Sequence, residues 1–176
     1  MLNFNHDKKL HGSSRKEQII DKLEDYTKKN DLDYSLLIGG ETGIIILPNN
    51  KLLKNLPRDK NYFSPVTKSI AEVFKKEGLN VKIYDDGREK TEIILKSVDI
   101  LIPTLFFLGS IPVQLALNLL ANWIYDKFIR NKKTISSSIK FEYIEVREDE
   151  KTSKNIKIEG AADEVYRLLK ENSEKK

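Results

Sequence analysis

The uncharged stretch from Ile100 to Tyr125 dominates the pattern of hydrophobic and polar positions along this chain. It contains no Asp, Glu, Lys or Arg, whereas those residues make up 33% of the whole sequence. On either side of it, apolar residues recur at the periods that are typical of amphipathic helices and of strands. The pattern therefore predicts small elements arranged on both sides of one strongly apolar segment.

Two prolines and one glycine divide this apolar stretch. Proline fixes its own backbone and disfavours a helical conformation at the residue before it. The sequence therefore predicts a short apolar strand or turn over residues 99–108, followed by a break at Gly109 and Ser110. A helix is expected to follow, with Ser110 as its N-cap, Pro112 in its first turn and its end near Phe128.

The predicted helix has one narrow polar stripe, because its polar residues recur every four positions. They are Gln114, Asn118, Asn122, Asp126 and Arg130. Its other faces are apolar and include Trp123, and a helix that is apolar nearly all round is buried in protein or in lipid. A membrane span needs about 20 apolar residues, a length that this run reaches only if it continues through its prolines. The broken run favours a helix buried in a soluble protein, and insertion of residues 100–125 into a bilayer is the alternative.

The rest of the chain shows shorter elements separated by turn residues. Before the apolar stretch, the sequence predicts a helix capped near Ser13–Ser14 and fading at 28–31, a hairpin over 34–48, and a basic loop or short irregular helix at 51–63. A helix begun by Ser64–Pro65 and stopped by Gly78 follows, and then a hairpin over 80–96 that turns at 85–87. After the apolar stretch, it predicts a strand over 136–146, a short strand over 156–158 and a final helix around 165–169.

Together these elements predict an α+β fold, a single domain of short hairpins packed around one strongly apolar central helix. Residues 1–12 form a polar lead-in, residues 13–171 form the domain and residues 172–176 form a charged tail. The length of 176 residues is sufficient for one domain with a sizeable core.

Composition limits the chemistry that this protein can perform. The chain has no cysteine, which excludes a disulfide framework and thiolate chemistry, and which fits a reducing cytosol. The first residues lack the apolar segment of a secretory signal. A net charge of +4 permits contact with nucleic acid or anionic lipid without arguing for either. We expect a cytoplasmic protein, with association with the inner membrane as the alternative.

Two motifs suggest chemistry, and each has a simpler structural interpretation. The glycine-rich run at 39–43 could cradle a phosphate, but it lacks the Gly-Lys-Ser/Thr ending of a P-loop, so a hairpin turn is preferred. Asp85 and Asp86, together with Glu92 and Lys96, could form the metal site of a nuclease, in which carboxylates hold Mg²⁺. An Asp-Asp-Gly sequence is, however, what a tight turn favours. The only histidines, His6 and His11, lie in the polar lead-in, so we predict no catalytic residue, no metal and no cofactor.

The C-terminal half resembles a family found in bacterial conflict systems, the small effector-associated constant component proteins. The resemblance covers about residues 97–170. It lies in the order of a small-residue break, a long apolar helix that ends in tryptophan (Leu115 to Trp123), a basic flank, a long strand (Ile139 to Val146), and a short strand and helix (Ile156 to Leu169). Members of that family are non-catalytic partners encoded beside caspase-like or trypsin-like proteases and other effectors, in antiviral or suicide modules.

This resemblance implies a non-catalytic adaptor or accessory subunit of a bacterial defence complex, whose partner is a larger effector protein encoded nearby. Self-association is left open, and nucleic acid is not expected as a partner. The membrane-associated effector and the metal-dependent nuclease are the competing hypotheses. The residues expected to carry the interaction are Gln114, Asn118, Asn122, Trp123, Lys127 and Arg130, because the polar stripe marks the edge of the buried helix and the basic residues continue it.

Overall fold

The computed structural model describes residues 15–38, 43–50, 55–94, 99–131, 138–147 and 152–174. Several predicted features lie outside these ranges, namely the Ser13–Ser14 cap, the glycines of the 39–42 turn, Lys96 and both histidines. The described elements in chain order are α1 (Arg15–Asn30), α2 (Tyr34–Ile38), β1 (Gly43–Ile46), β2 (Lys60–Phe63), α3 (Thr67–Lys76), β3 (Val81–Ile83), β4 (Glu89–Glu92), β5 (Ile100–Leu101), β6 (Leu105–Leu108), α4 (Val113–Ile124), a π-helical turn (Tyr125–Ile129), β7 (Ser138–Arg147), β8 (Thr152–Ala161) and α5 (Ala162–Glu174). The predicted α+β fold class is confirmed.

Six strands form one mixed sheet. Its order is β3-β1-β6-β7, with β5 pairing with the start of β7 and β8 running antiparallel along the whole of β7. The pairs β1–β3 and β6–β7 are parallel, whereas β1–β6 is antiparallel. The strands β2 and β4 form a separate parallel pair.

Helices cover both faces of the main sheet, because the strands alternate their side chains between two apolar clusters. Ile44, Ile46 and Phe107 point to one face, where they pack with α3, α4 and α5. Ile45 and Phe106 point to the other face, where they pack with Leu23 of α1 and Leu37 of α2. Each face of the sheet therefore has its own buried cluster.

The uncharged stretch is divided as its prolines predict. Residues 100–108 supply β5 and β6, Gly109 turns the chain with φ of 81°, and α4 follows. The N-cap is Pro112 and makes no side-chain cap, so the prediction of Ser110 as N-cap is wrong. In the part of the chain that the structure describes, no helix combines the length and the apolar character needed to cross a membrane.

The predicted hairpin over residues 34–48 is wrong. Residues Tyr34–Ile38 form the short helix α2. Asp33 fixes the start of this helix, because the Asp33 carboxylate accepts hydrogen bonds from the amide of Ser35 at 2.9 Å and from the hydroxyl of Ser35 at 2.6 Å. A carboxylate that accepts from the amide two residues later is a helix-starting arrangement. Only the second half of the prediction, β1, is a strand.

The predicted hairpin over residues 80–96 has the right strands but the wrong pairing. Gly87 has φ of 86° at the predicted turn, yet β3 pairs with β1 and β4 pairs with β2. The strands predicted over 136–146 and 156–158 pair with each other as β7 and β8, although β8 is longer than predicted and extends over Thr152–Ala161. Helix α3 ends as predicted, with Gly78 at φ of 77° just after its last turn.

Candidate functional site

Two of the predicted interaction residues, Asn118 and Asn122, lie where α4 contacts α5. Both helices pack on the same face of the sheet. Along α4, Gln114 and Asn118 are half-buried and Asn122 is exposed. These three residues are thus more exposed than the fully buried Ala116, Leu117 and Leu120 of the same helix.

A lysine from α5 connects two residues of the stripe. The ammonium group of Lys170 donates hydrogen bonds to the side-chain oxygens of Asn118 and Asn122, the latter at 2.8 Å. The same ammonium lies 5.8 Å from the ring centre of Tyr166, within the range of a cation–π interaction. The stripe is thus a contact between two helices of this chain as well as a surface feature.

Removing this contact is expected to have a small, measurable effect on folding. In a double-mutant cycle of Asn122→Ala and Lys170→Met, we expect a coupling energy of about 0.5–1.5 kcal/mol, the usual range for one intramolecular hydrogen bond. The free energy of unfolding in urea gives this value. The same cycle on Arg167 and Asp163, which are 4.0 Å apart and exposed, should give a coupling near zero. Equal coupling in the two cycles would contradict a specific role for Lys170.

A π-helical turn follows α4 and changes which side chains reach the surface. The amide of Arg130 donates to the carbonyl of Tyr125 at 2.8 Å, five residues back. Three consecutive residues, Tyr125, Asp126 and Lys127, are exposed on this wider turn. Single π-helical turns within α-helices occur frequently at functional sites. Arg130 is also exposed, and its guanidinium lies 3.7 Å from the carboxylate of Asp126.

Trp123 does not belong to the exposed surface. It is only 6% exposed and packs edge-to-face on Phe128, with ring centres 5.5 Å apart. Its ring nitrogen finds no acceptor among the described residues. Trp123 therefore holds the π-helical turn against the core. The exposed apolar residues at this surface are instead Leu115, at 38%, and Tyr125, at 42%. The sequence pattern placed Leu115 on the apolar side of the helix and did not distinguish Tyr125.

The acidic residues of the nuclease hypothesis take part in a hydrogen-bonded network. Asp86 accepts hydrogen bonds from Arg88 and from the buried Asn61, the latter at 2.6 Å. Burial alone would raise the pKa of Asp86, but these hydrogen bonds and the nearby guanidinium lower it to about 2. Asp85 binds Lys90 at 2.5 Å and accepts from the amide of Gly87. Among the described residues, no group of three potential metal ligands comes together.

This network predicts a dependence of stability on pH. The pKa of Asp86, about 2 in the folded chain, lies below its ordinary value of 3.8. A carboxylate whose pKa is lower in the folded state contributes stability that is complete above the pKa of the unfolded chain and is lost as the pH falls towards about 2. We therefore expect this group to add about 2 kcal/mol at pH above about 5, and nothing well below pH 2.

The measurement is the free energy of unfolding in urea between about pH 6 and pH 2, for the parent chain and for Asp86→Asn. Other carboxylates titrate in both proteins, so the difference between the two curves isolates Asp86. That difference should be largest near neutral pH and should shrink as the carboxylate is protonated, because Asn cannot carry the charge that Arg88 and Asn61 bind. A difference that stays constant down to pH 2 would mean that Asp86 contributes to stability through its shape and hydrogen bonds and not through its charge.

Comparison with known proteins adds no further information on identity. No family model, no curated protein and no solved structure matches this chain.

Proposed function

We propose that this chain is a non-catalytic interaction module, an accessory subunit of a bacterial defence or effector complex. It binds a larger effector protein, protease-like or another enzyme, through the surface formed by α4, the π-helical turn and the exposed side of α5. The assignment to bacterial defence follows from the resemblance of the C-terminal half to the effector-associated constant component proteins. The single observation that supports binding is the composition and shape of this surface.

The composition of the surface suits recognition of a protein. Tyrosine and arginine are enriched in protein interfaces, and Tyr125 and Arg130 are both exposed at the C-terminal end of α4, while Leu115 is exposed in its first turn. Lys127 and Lys170 add positive charge. A partner that fits this surface presents an apolar centre with carboxylates around it, because those groups complement the exposed side chains in polarity and in charge.

The rigidity of the surface also supports the proposal. The contact of Trp123 with Phe128 fixes the π-helical turn from below, and the ring of Tyr125 lies 5.5 Å from that of Tyr166 on α5. The hydrogen bonds from Lys170 join the two helices. Since a preorganised surface loses little conformational entropy on binding, more of the contact energy remains as affinity.

The test is co-expression with the effector encoded beside the gene, followed by affinity purification and measurement of the dissociation constant. We expect Leu115→Glu and Tyr125→Glu each to weaken the complex by at least about tenfold, because each buries a charge in the centre of the interface. Leu36→Glu is the matched control, since Leu36 on α2 is 41% exposed but lies on the other face of the sheet.

Two outcomes would contradict the proposal. One is a complex that Leu36→Glu weakens as much as the two variants of the α4 surface. The other is a protein that sediments with membranes and resists a high-salt wash, as expected if residues 100–125 enter a bilayer. That second behaviour would require β5 and β6 to leave the sheet, where residues 105–108 pair with both β1 and β7.

A further inference from the structure

A cleft lies between the C-terminal end of α1 and the loop that leads into β2. Its volume is about 440 Å³, within the range of small-molecule sites in proteins. Lys28 and Lys29 line it on the α1 side, and Arg58 and Lys60 line it on the opposite side. The sequence shows these residues only as a polar helix end and a separate basic loop; the fold brings them to one cleft. Neither α4 nor α5 contributes to it, so a ligand site in this cleft is independent of the proposed function.

The described side chains that line this cleft carry a net positive charge, with four cations and one carboxylate. Asp31 is the carboxylate that lines it, and this group is engaged by Arg88 at 2.6 Å. Lys60 lies 3.0 Å from Glu89, and Lys28 lies 3.9 Å from Glu24. The charged groups of Lys29 and Arg58 contact no acidic side chain in the described ranges. Two cations thus remain for an anion from solution.

The width of the cleft is fixed by one side chain, Arg88. Its guanidinium donates to the carbonyl of Asp31 at 2.6 Å on one wall and to the carbonyl of Arg58 at 2.9 Å on the other. It also donates to Asp86 at 2.8 Å, and Asp86 is in turn held by Asn61. The two basic walls are therefore held at a constant separation, and a site built in advance loses less free energy on binding a ligand.

One part of the cleft is apolar. Leu56, 40% exposed, and Pro57 line it beside Tyr62. A ligand that fills the whole cleft therefore combines negative charge with a less polar body. Phosphate groups fit lysine and arginine because they offer several anionic acceptors to charged donors.

We propose that this cleft binds a phosphate-bearing small molecule of nucleotide size. Its phosphates contact Lys29 and Arg58, with Lys28 and Lys60 adding charge, and its less polar part lies against Leu56 and Pro57. No bond is made or broken in this role; the cleft holds the ligand by charge-assisted hydrogen bonds and apolar contact.

The structure offers a control for the general effect of surface lysines. A lysine pair at the end of a helix is favoured by the partial negative charge of that end, and this holds for Lys28 and Lys29 as well as for Lys75 and Lys76 at the end of α3. The α3 pair is also exposed, but it does not line this cleft. A specific site responds to the loss of the cleft residues and not to the loss of the α3 pair.

The experiment is isothermal titration of the whole chain with ATP, with tripolyphosphate and with adenosine. We expect saturable binding of ATP and of tripolyphosphate, and no binding of adenosine at the same concentrations. The double variant Lys29→Ala/Arg58→Ala should weaken the binding of ATP by at least about tenfold, because it removes two charge-assisted contacts. Lys75→Ala/Lys76→Ala should change it by less than about twofold, as expected for charges outside the site. All four residues are exposed, so both variants should keep the melting temperature of the parent.

Three results would overturn the inference. The first is the absence of saturable binding of ATP and tripolyphosphate up to about 5 mM, an affinity too weak for a built site. The second is an equal loss of affinity in the two double variants, which indicates attraction by net charge alone. The third is adenosine binding as tightly as ATP, which places recognition outside the phosphates. None of these results bears on the α4 surface, so the two proposals can fail separately.

Discussion

Replacement of Leu120 by alanine is expected to lower the free energy of unfolding by about 3–5 kcal/mol, the upper part of the range for leucine in a well-packed core. Leu120 is 1% exposed and lies in α4, which packs between α3 and α5 on the sheet. The elements around it restrict collapse into the space that the side chain leaves. The cost therefore includes the cavity as well as the lost transfer of apolar surface from water.

Leu115→Ala is the matched control for this prediction. It makes the same chemical change in the same helix, but Leu115 is 38% exposed, so we expect a loss below about 1 kcal/mol. Unfolding in urea can be followed by the fluorescence of Trp123, because it is the only tryptophan in the chain and is buried. Equal effects of the two substitutions would contradict the burial of one side of α4, and with it the division of this helix into a core face and a surface face.

The elements that the sequence predicts well are those whose signals are local. Helix α3 ends just before Gly78 as predicted, although it begins at Thr67 and not at the predicted Ser64–Pro65, and the apolar stretch is broken where Gly109 adopts a positive φ. Amphipathic periods and end signals depend on residues within a few positions of one another. Such signals do not depend on the rest of the chain, and for the same reason the sequence also predicts α1, α4 and α5.

The pairing of strands could not be predicted in the same way. The run that becomes β1 is β-branched and is followed by turn residues, which predicts a strand, but it pairs with β3 and β6, which lie far along the chain. Such a run identifies a strand without choosing its partner. The short helix α2 was missed for a different reason: five residues are too few to show a helical period, and its start depends on the single side chain of Asp33.

The candidate site shows the same difference between local signals and contacts that are distant in sequence. The four-residue spacing placed Asn118 and Asn122 on one edge of α4, and this is a local property. Their partner Lys170 lies on another helix, 52 and 48 positions away, and no pattern in either segment specifies the contact. The π-helical turn has no sequence signal of its own here, so the exposure of Tyr125 became apparent only in the folded chain.

Replacement of Arg88 by alanine is expected to cost about 3 kcal/mol, more than any exposed ion pair of the described residues. Its side chain is 21% exposed, and it donates to Asp86, to Asp31 and to the carbonyl of Arg58. Removing it leaves the carboxylate of Asp86, 12% exposed, without its cationic partner, and an uncompensated charge in such a place is costly. Lysine cannot replace the planar fork of donors, so Arg88→Lys should recover less than half of the loss.

Arg130→Ala is the control for Arg88, because its guanidinium lies 3.7 Å from Asp126 but both side chains are more than half exposed. An exposed pair of this kind contributes about 0–1 kcal/mol. Urea unfolding at neutral pH compares the two variants directly. If Arg88→Ala were no more costly than Arg130→Ala, the network would not hold α1, the loop before β2 and the 85–88 turn together, and the cleft between them would lose its physical basis.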